Sequence, residues 1–396
     1  MFNRSFSKRK FHHFHSTGSR FHRGNQRKKS GIHSSKYINR AISSPIESDL
    51  PVKNSFNDFS IDQILKQNIS SRGYVQPTPI QDQVIPHILK GADVVGIANT
   101  GTGKTAAFLI PLLNKIIHQR SEKVLIVVPT RELAVQIQDE LKFFATSLNI
   151  YSSLVIGGNS MNRQISDLKR NPHFVISTPG RLKDMVNRKF IDLGHFHSIV
   201  LDEVDRMVDI GFINEIKFII SRLPANRQSL FFSATVAPEV NTIIQTFLHN
   251  PVTISVKVRE TAQGIDQDVI HVKNKEEKIN KLQNLLRQEE FKKVLVFGRT
   301  KWGVERLSRH LEQNGFSVAS IHGNKTQNQR LKALTLFRQN QLQVLVATDV
   351  VARGMDIEDV SHVINFDEPV SYTDYIHRIG RTGRANKRGK ALTFVS

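Results

Sequence analysis

The sequence predicts an α/β chain that folds into two tandem doubly wound domains, each built on a parallel β-sheet. From about residue 54, short apolar β-branched runs such as VVGIA (94–98) alternate with amphipathic stretches of helical period. Apolar strands that alternate with helices are typical of βαβ units, whose sheets are covered on both faces. The same rhythm restarts after about residue 265, for example in KKVLVFGRT (292–300). A length of 396 residues also corresponds to two domains.

The domain boundaries follow from changes in this pattern. We assign residues 1–53 to an N-terminal arm, 54–253 to the first domain, 254–265 to a linker and 266–396 to the second domain. The linker assignment rests on residues 250–268, a polar stretch with one proline and one glycine. Two such domains on a short linker enclose a cleft, and ligands of open α/β sheets bind at the carboxyl ends of the strands. Since the chain ends at the last predicted strand, we expect either a shortened chain or a minimal enzyme.

The composition indicates a globular protein with a polyanionic partner. Hydrophobic residues make up 39% of the chain and charged residues 23%, which suits a protein with real cores. No apolar run approaches the ~18 residues of a membrane span. The lack of cysteine excludes a disulfide framework and cysteine-ligated zinc, and it fits a reducing compartment. A net charge of +21 favours nucleic acid or an anionic membrane surface as the partner.

The N-terminal arm is strongly basic, with eleven Lys or Arg residues and two acids among residues 1–50. It is rich in Ser, Gly, His and isolated Phe and lacks helical periodicity, so we expect a disordered arm over 1–53. Its aromatic and cationic residues suit unpaired bases and phosphates, and the alternative is a solubilising tail. A third interpretation is an organelle transit peptide, because no acid precedes Glu47. We therefore expect a cytoplasmic protein, or an organelle-matrix protein if the arm is a transit peptide.

The stretch ANTGTGKT (98–105) follows the first predicted strand and opens a helix. This is the context of a phosphate-binding loop, in which glycines let the backbone wrap around oxyanions at a helix N-terminus. Lys104 can neutralise the outer phosphates, and Thr105 offers a hydroxyl to Mg²⁺. Alanine replaces the first glycine that is usual in such loops. The predicted nucleotide-binding residues of this loop are Ala98, Asn99, Thr100, Gly101, Thr102, Gly103, Lys104 and Thr105.

The stretch LDEVDRMVDIGF (201–212) places three carboxylates within four positions after an apolar strand. Acids in this position are common in solvated turns. A nucleotide site, however, needs a carboxylate for Mg²⁺ and a group to deprotonate the attacking water. With a phosphate-binding loop in the same chain, Asp202 is predicted to hold the metal and Glu203 to act as the base. Asp205 is predicted to couple to the SAT stretch, Ser233–Thr235.

These motifs resemble those of superfamily 2 helicases, and residues 54–396 as a whole resemble the DEAD-box RNA helicase family. The acidic motif reads D-E-V-D, with Val204 where the family usually has alanine, and we expect this to adjust packing and not chemistry. The resemblance implies two RecA-like domains, ATP and Mg²⁺ as cofactors, and an RNA substrate held through its backbone.

The resemblance also implies nucleotide contacts outside the loop. GYVQPTPIQ (73–81) resembles the adenine-reading Q motif, to which Thr78 belongs. This implies that Gln81 pairs with the adenine edge and that Tyr74 stacks on the ring, with Phe56 as an upstream support. An amide that offers both a donor and an acceptor favours adenine, and hence ATP over GTP.

Two stretches of the second domain, ATDVVARGMDI and HRIGRTGR, also match the family closely. Arg381 and Arg384 lie three positions apart, so both can face one side of a helical turn and meet phosphates. The resemblance implies that they act as arginine fingers on ATP. It further implies that Asp356 meets the ribose and that His377 links the RNA and ATP sites.

A further set of residues matches the family's RNA-contacting positions. Those in the first domain lie at predicted strand ends, where loops and helix N-termini can meet phosphates. Gln327 and Arg330 match positions implicated in RNA contact or in coupling between the domains. The implied RNA contacts are Pro129, Arg131, Gly158, Thr178, Arg181, Thr300, Gly323 and Thr348.

The predicted function is ATP-dependent separation of short RNA duplexes, or remodelling of RNA–protein complexes, through closure of the two domains. Contact with the RNA backbone predicts little sequence preference and strong salt dependence. The alternatives are an ATP-gated RNA clamp and an ATP-independent RNA chaperone that acts through the arm. A DNA helicase is disfavoured by the Q motif and by HRIGRTGR. We expect a monomer that binds no membrane.

Overall fold

A computed structural model of the chain describes residues 34–39, 51–99, 101–256, 265–349, 360–383 and 389–395. Three predicted site residues, Thr100, Asp356 and Arg384, lie outside these ranges, as do most of the N-terminal arm and residues 257–264. Within the described ranges, no helix combines the length and the apolar character needed to cross a bilayer.

The first domain is built on a parallel sheet. Its strands within the described residues are β1 (Val94–Ala98), β2 (Val124–Val127), β3 (Ser152–Val155), β4 (Phe174–Ser177), β5 (Ser198–Asp202), β6 (Gln228–Ser233) and β7 (Val252–Val256). They lie in the order β3-β4-β2-β5-β6-β1-β7, and every neighbouring pair is parallel. The order places β1, β5 and β6 side by side, and it places β2, β3 and β4 together on the other half of the sheet.

Helices cover both faces of this sheet, which explains why its central strands are apolar on both sides. The helices described here are α1 (Gln63–Ser71), α2 (Pro79–Leu89), α3 (Lys104–His118), α4 (Arg131–Phe144), α5 (Met161–Lys169), α6 (Pro179–Asn187), α7 (Val204–Ile210), α8 (Ile213–Ile220) and α9 (Pro238–Phe247), with a 3-10 turn at Leu193–His195. The ring of Phe108 on α3 lies 5.4 Å from that of Phe232 on β6. Gly96 on β1 permits this packing, because a Cβ there would come within 2.6 Å of the Phe232 ring.

The second domain repeats the plan on a smaller sheet. Its strands within the described residues are β8 (Ile265–His271), β9 (Val294–Phe297), β10 (Val318–Ile321), β11 (Val344–Ala347), β12 (His362–Asn365) and β13 (Gly389–Val395). They lie in the order β10-β11-β9-β12-β13-β8, again all parallel. The described helices are α10 (Lys275–Leu286), α11 (Lys301–Gln313), α12 (Gln327–Arg338) and α13 (Tyr372–Ile379). The predicted fold class, two doubly wound parallel-sheet domains, is confirmed.

The linker is shorter than expected. Strand β7 continues to Val256 and β8 begins at Ile265, so the two ends of the predicted linker, 254–256 and 265, lie in strands. The reason is that Ile254 and Val256 alternate with polar residues and are buried against the first core, which is the pattern of an edge strand.

A short part of the predicted N-terminal arm, residues 34–39, lies within the described structure and contacts the second domain. Residues 34–37 form a 3-10 turn, and Asn39 pairs with Gln267 on β8 through two backbone hydrogen bonds of 3.1 and 2.7 Å. The Tyr37 side chain is fully buried, with its ring 4.8 Å from that of Tyr375. Burial raises the pKa of Tyr37 to about 12. A strand at the edge of a sheet leaves backbone groups open for pairing, and this segment uses them.

Candidate functional site

The carboxyl edge of the first sheet divides the predicted site residues into two groups. The loop that contains Gly101 and Gly103 follows β1, the acidic stretch from Asp202 follows β5, and the SAT stretch follows β6. These three strands are neighbours. The predicted RNA contacts of this domain follow β2, β3 and β4, which form the other half of the sheet. The fold therefore places the predicted nucleotide residues and the predicted RNA residues side by side on one edge.

The loop after β1 wraps around the amine of Lys104. Gly101 and Gly103 adopt left-handed backbone angles, with φ of 86° and 89°, and Gly103 caps the N-terminus of α3. The Lys104 side chain is buried, and its Nζ donates a hydrogen bond of 2.8 Å to the carbonyl of Ala98. The Thr102 hydroxyl donates to the carbonyl of Asn99 at 2.8 Å. Together with the amides at the start of α3, this arrangement suits an anion.

Gln81 connects the Q-motif loop to the phosphate-binding loop. Its Oε1 accepts a hydrogen bond of 2.9 Å from the amide of Thr78, and its Nε2 donates one of 3.0 Å to the carbonyl of Gly103. The side chain is fully buried. One N–H and one lone pair of the amide remain for a ligand. The pairing of Gln81 with adenine therefore stays a prediction, while its support of the loop is a feature of the structure.

The ring of Tyr74 is held between two other aromatic rings. It meets Phe56 and Phe144 edge-on, with centroids 6.0 and 5.6 Å apart, and its hydroxyl donates to Glu140 at 2.9 Å. Phe56 is buried. Tyr74 and Phe56 thus form one aromatic unit, while the support role of Phe56 and the stacking of Tyr74 on adenine stay predictions.

Sequence reasoning missed the role of Asp82, which follows Gln81. The Asp82 carboxylate accepts hydrogen bonds from the backbone amides of Lys53 and Asn54, at 2.9 and 3.1 Å, and from the Asn54 side chain at 2.7 Å. It therefore fixes the chain where it enters the first domain. The available signal was an acid in the first turn of a helix, which is common for capping reasons alone.

The acidic stretch brings two buried carboxylates to the end of β5. Asp202 is the last residue of the strand, and burial raises its pKa to about 6, against an opposing effect of Lys104. Glu203 adopts a left-handed conformation, with φ of 55°, and its amide donates to Asp202 Oδ1 at 2.9 Å. Such a conformation is strained for a residue with a side chain and is concentrated at functional sites. The turn redirects two consecutive side chains that a strand would have pointed apart.

The Glu203 carboxylate has room for a further partner. Its Oε2 is buried and accepts no hydrogen bond from the described residues, and the nearest cationic atom is a guanidinium nitrogen of Arg206 at 3.6 Å. A buried oxygen without a donor requires water or a cation. The described residues contain no cluster of three or more acidic, histidine or cysteine side chains suited to a metal. A divalent cation here would therefore rely on Asp202, the Thr105 hydroxyl in the first turn of α3, phosphate oxygens and water, which is the usual environment of Mg²⁺.

Asp205 joins the acidic stretch to the SAT stretch. Its Oδ2 accepts hydrogen bonds from the amides of Ala234 and Thr235, at 3.1 and 2.9 Å, and from the Thr235 hydroxyl at 3.0 Å. Its amide donates to the Ser233 hydroxyl at 3.3 Å, which in turn donates to the carbonyl of Thr235. The structure thus brings together the predicted coupling residues of this domain, and their coupling role stays a prediction.

The predicted RNA contacts of the first domain surround the guanidinium of Arg131. It lies over Gly157 and Gly158, where an added Cβ on Gly157 would come within 2.8 Å of it. Burial, together with the charge of Arg330, lowers the pKa of Arg131. Pro129 precedes α4 and Thr178 precedes α6, so both stand at helix N-termini. Arg181, on α6, donates to the carbonyl of Asn159 at 3.4 Å.

The predicted RNA contacts of the second domain follow three neighbouring strands. Thr300 follows β9 and caps α11, with its hydroxyl accepting from the amide of Gly303 at 3.0 Å. Gly323 follows β10, and Thr348 follows β11. These strands lie in the order β10-β11-β9, so the three residues share one half of the carboxyl edge, as in the first domain.

Comparisons with known proteins agree with this geometry. The family described as DEAD/DEAH box helicase matches residues 78–243, and the helicase conserved C-terminal domain matches residues 277–386. The chain is 45% identical over 343 residues to the ATP-dependent RNA helicase CshA of Listeria monocytogenes, a match that covers 86% of this chain and 66% of that protein. It is 43% identical to the DEAD-box ATP-dependent RNA helicase CshA of Bacillus licheniformis, over 86% of this chain and 70% of that protein. The chain belongs to the DEAD-box helicase family.

The fold of this DEAD-box chain is also similar to that of a solved structure, S. cerevisiae Dbp5 bound to RNA and ADP BeF3. The TM-score is 0.77 at 30% identity, and the match covers 87% of this chain and 90% of that one. The chain spans slightly less than two thirds of the length of the Listeria CshA protein.

Arg378 is a residue of the second domain that sequence reasoning missed. Its guanidinium is 1% exposed and donates two hydrogen bonds, of 2.6 and 2.7 Å, to the carboxylate of Asp349. It also donates to Asn365 Oδ1 at 3.1 Å and to the carbonyl of Asp367 at 2.6 Å. It therefore joins α13 to the segment after β11 that carries Thr348. In the sequence it looks like the other arginines of HRIGRTGR, because nothing local reports burial.

Arg381 follows the end of the helix that carries His377. Helix α13 ends at Ile379, so Arg381 does not extend a regular helical turn as expected, although its amide still bonds to the carbonyl of Arg378 at 3.2 Å. Gly380 is the C-cap residue, and its amide donates to the carbonyl of Ile376 at 3.0 Å. Arg381 is 4% exposed. The structure thus places Arg381 in a buried turn beside Arg378, and its role as an arginine finger stays a prediction.

Glu305, on α11, is another residue that sequence reasoning missed. Its carboxylate accepts hydrogen bonds from the Ser320 hydroxyl at 2.7 Å, from Lys325 at 3.2 Å, and is 3.0 Å from His322 Nε2. These hydrogen bonds, led by that of Ser320, lower the pKa of Glu305 to about 2. Glu305 thereby holds the loop that contains Gly323, a predicted RNA contact.

A buried ion pair connects the two domains. A guanidinium nitrogen of Arg330, on α12, lies 3.3 Å from Glu132 Oε1, on α4, and the side chains are 8% and 3% exposed. Gln327 accepts a hydrogen bond of 2.7 Å from the same guanidinium. Glu132 is the neighbour of Arg131, so the pair lies beside the predicted RNA contacts of the first domain. Arg330 therefore acts between the domains in this structure.

Proposed function

We propose that this chain is an ATP-dependent RNA helicase that separates short RNA duplexes locally, or remodels RNA–protein complexes, through closure of its two domains. The observation that carries the proposal is the division of the carboxyl edge. One half of the first sheet presents a phosphate-binding loop and two buried carboxylates. The other half, and the corresponding half of the second sheet, present residues suited to an RNA backbone. The similarity to Dbp5 bound to RNA and ADP BeF3 supports the same assignment.

The ATP half of the site supplies binding, charge and a base. Gln81 and Tyr74 would receive the adenine, and the loop from Ala98 to Thr105 would receive the phosphates. When bound, Mg²⁺ would neutralise phosphate charge at Asp202 and Thr105, whose oxygen atoms suit that ion. Glu203, whose buried Oε2 accepts no hydrogen bond from the described residues, would orient and deprotonate the attacking water.

Coupling to RNA would come from closure. Lys104 and the acids belong to the first domain, whereas Arg381 and Arg384 belong to the second, so the catalytic set is complete only when the domains meet. An arginine finger typically contributes ~10³–10⁵ in rate. RNA that contacts both domains would therefore favour the state in which ATP is hydrolysed, which is a linkage between two sites.

The substitution Glu203→Gln tests the proposal. It keeps the size of the side chain and removes the base, so we expect ATP binding to persist and RNA-stimulated hydrolysis to fall to background. Glu239→Gln, at an exposed position in the first turn of α9, is the matched control and should leave both unchanged. Hydrolysis that remains RNA-stimulated in Glu203→Gln would remove Glu203 as the base. If the unsubstituted chain shows no stimulation by RNA, the proposed coupling fails as a whole.

An ATP-gated RNA clamp is a second candidate, and the buried pair of Arg330 and Glu132 favours it because the pair stabilises a closed arrangement. The two functions differ in what limits the cycle. A helicase separates a duplex within a single ATP turnover, whereas a clamp retains single-stranded RNA for longer than it takes to hydrolyse ATP. Single-turnover unwinding compared with RNA residence time distinguishes them.

A further inference from the structure

Trp302 is the sole tryptophan of the chain, and 72% of its surface is exposed. It lies in the first turn of α11. Large exposed aromatic side chains are informative because burial would remove much apolar surface from water. Tyr151, another exposed aromatic residue, stacks on His173, whereas no ring or cation packs on Trp302 within the described part of the chain. Its indole is therefore open to a ligand.

The position of Trp302 is next to the predicted RNA contacts of the second domain. It follows Thr300 by two residues. The neighbouring Lys301 has its amine 3.0 Å from Asn324 Oδ1, which ties the first turn of α11 to the loop that contains Gly323. Trp302 thus lies beside the carboxyl ends of β9, β10 and β11, where the predicted RNA contacts of the second domain lie.

The surface around Trp302 is positively charged. Arg306 and Arg309 follow it by four and seven positions, so all three share one exposed face of α11. Helix α11 carries two acids. Glu305 contacts Ser320, His322 and Lys325, with Arg309 within 3.7 Å, and Glu312 lies near the far end of the helix. An aromatic ring beside cations is the combination that binds single-stranded nucleic acid, with bases on the ring and phosphates on the cations.

We propose that Trp302 is a stacking platform for an unpaired RNA base next to the predicted RNA contacts of the second domain, and that Arg306 and Arg309 contact the flanking phosphates. This inference rests on the proposed RNA binding and extends it by one nucleotide site. Since every base has a π-face, the site would tolerate any sequence. The site would raise the affinity for single strands that extend past the second domain, relative to strands that end within it.

The single tryptophan makes the site directly observable. In the presence of a non-hydrolysable ATP analogue, titration with an unpaired poly-uridylate strand is expected to quench the tryptophan emission. Trp302→Ala should bind that strand roughly five- to tenfold more weakly, the lower range for base–aromatic stacking, and Trp302→Phe should recover part of the loss. Tyr151→Ala, an exposed aromatic residue of the first domain, is the matched control and should bind as the unsubstituted chain does.

A strand with abasic positions separates stacking from charge. It keeps the phosphates and lacks the bases, so the unsubstituted chain and Trp302→Ala should bind it equally, and it should not quench the emission. Emission that stays constant while ordinary RNA binds would overturn the proposal, and the exposed indole would then suit a protein partner. That result leaves the helicase function standing, whereas a lack of RNA binding by the unsubstituted chain contradicts both.

Discussion

The substitution Glu132→Gln is expected to weaken closure of the two domains without weakening the fold of either one. Removing one partner of a buried ion pair costs about 3–5 kcal/mol if the other charge stays buried. Arg330 can instead regain water when the domains separate. We therefore expect a penalty of about 1.4–2.7 kcal/mol on the closed state, which shifts the closure equilibrium roughly 10- to 100-fold.

The environment of Arg330 makes the two sides of the pair unequal. Arg131 lies close enough for the charge of Arg330 to lower its pKa, so Arg330 is attracted by Glu132 and repelled by Arg131. Glu132→Gln leaves two arginines facing each other without an acid. Arg330→Met removes the repulsion together with the attraction, and we expect it to have the smaller effect. The loss of closure in the double variant, Glu132→Gln with Arg330→Met, should be close to that of Arg330→Met alone and smaller than the sum of the two single losses.

The assay has two parts. The RNA concentration for half-maximal ATPase stimulation reports closure and should rise roughly tenfold or more in Glu132→Gln. The midpoint of thermal unfolding reports the fold and should stay within about 2 °C of the unsubstituted value. Glu215→Gln is the control, because its pair with Lys183 at 3.2 Å lies within the first domain and is partly exposed. If the unfolding midpoint falls by several degrees while the RNA concentration is unchanged, the pair stabilises the fold and the reasoning is wrong.

Three further predictions concern the phosphate-binding loop, the N-terminal segment and acid stability. Gly103→Ala should abolish ATP binding, because φ is +89° and the added Cβ would collide with the side-chain amide of Gln81, which supports the loop. The control is Gly91→Ala, at φ of +80° with no atom near the added Cβ. It carries only the backbone strain of about 1 kcal/mol and should bind ATP normally in the same titration. Tyr37→Ala should remove the hydrogen-exchange protection of the amides paired between residues 34–39 and β8. Ile38→Ala, at an exposed position, should keep that protection. Protection that survives in Tyr37→Ala would contradict the idea that Tyr37 anchors the segment. Burial lowers the pKa of His362 from 6.5 to about 4. Below pH 6.5 this histidine is therefore protonated in the unfolded chain, whereas in the folded chain it stays neutral down to about pH 4. The free energy of unfolding should therefore decrease across that interval, by about 2 kcal/mol at pH 5, and urea titrations of His362→Phe should lack this decrease.

Much of the nucleotide half of the site was predictable because its signals are local. A glycine-rich loop between an apolar strand and a helix, and acids at the end of another strand, are patterns that each span about ten residues. The βαβ rhythm then places both at the same edge of a sheet. The coupling of Asp205 to the SAT stretch followed from the same logic, since β5 and β6 are neighbours.

Other features have no local signal. The pair of Glu132 and Arg330 depends on how two domains meet, and each residue alone looks like an ordinary charged helix position. Tyr37 is one aromatic residue in a segment with many, and its burial depends on a slot beside Tyr375, far along the chain. The burial of Arg378 depends on Asp349 and Asn365 lying on adjacent segments of the fold. Composition and periodicity report average tendencies, so they miss single long-range partners.

The network of Arg378 has a mechanical consequence. It connects the segment that carries Thr348 to helix α13, which precedes Arg381. Two hydrogen bonds to Asp349 hold that joint, and two more tie the same guanidinium to Asn365 Oδ1 and to the carbonyl of Asp367. We therefore expect the predicted RNA contact at Thr348 and the predicted arginine finger at Arg381 to move together. We expect a displacement at the predicted RNA contacts to reach Arg381 as movement of the whole second domain and not as bending within it.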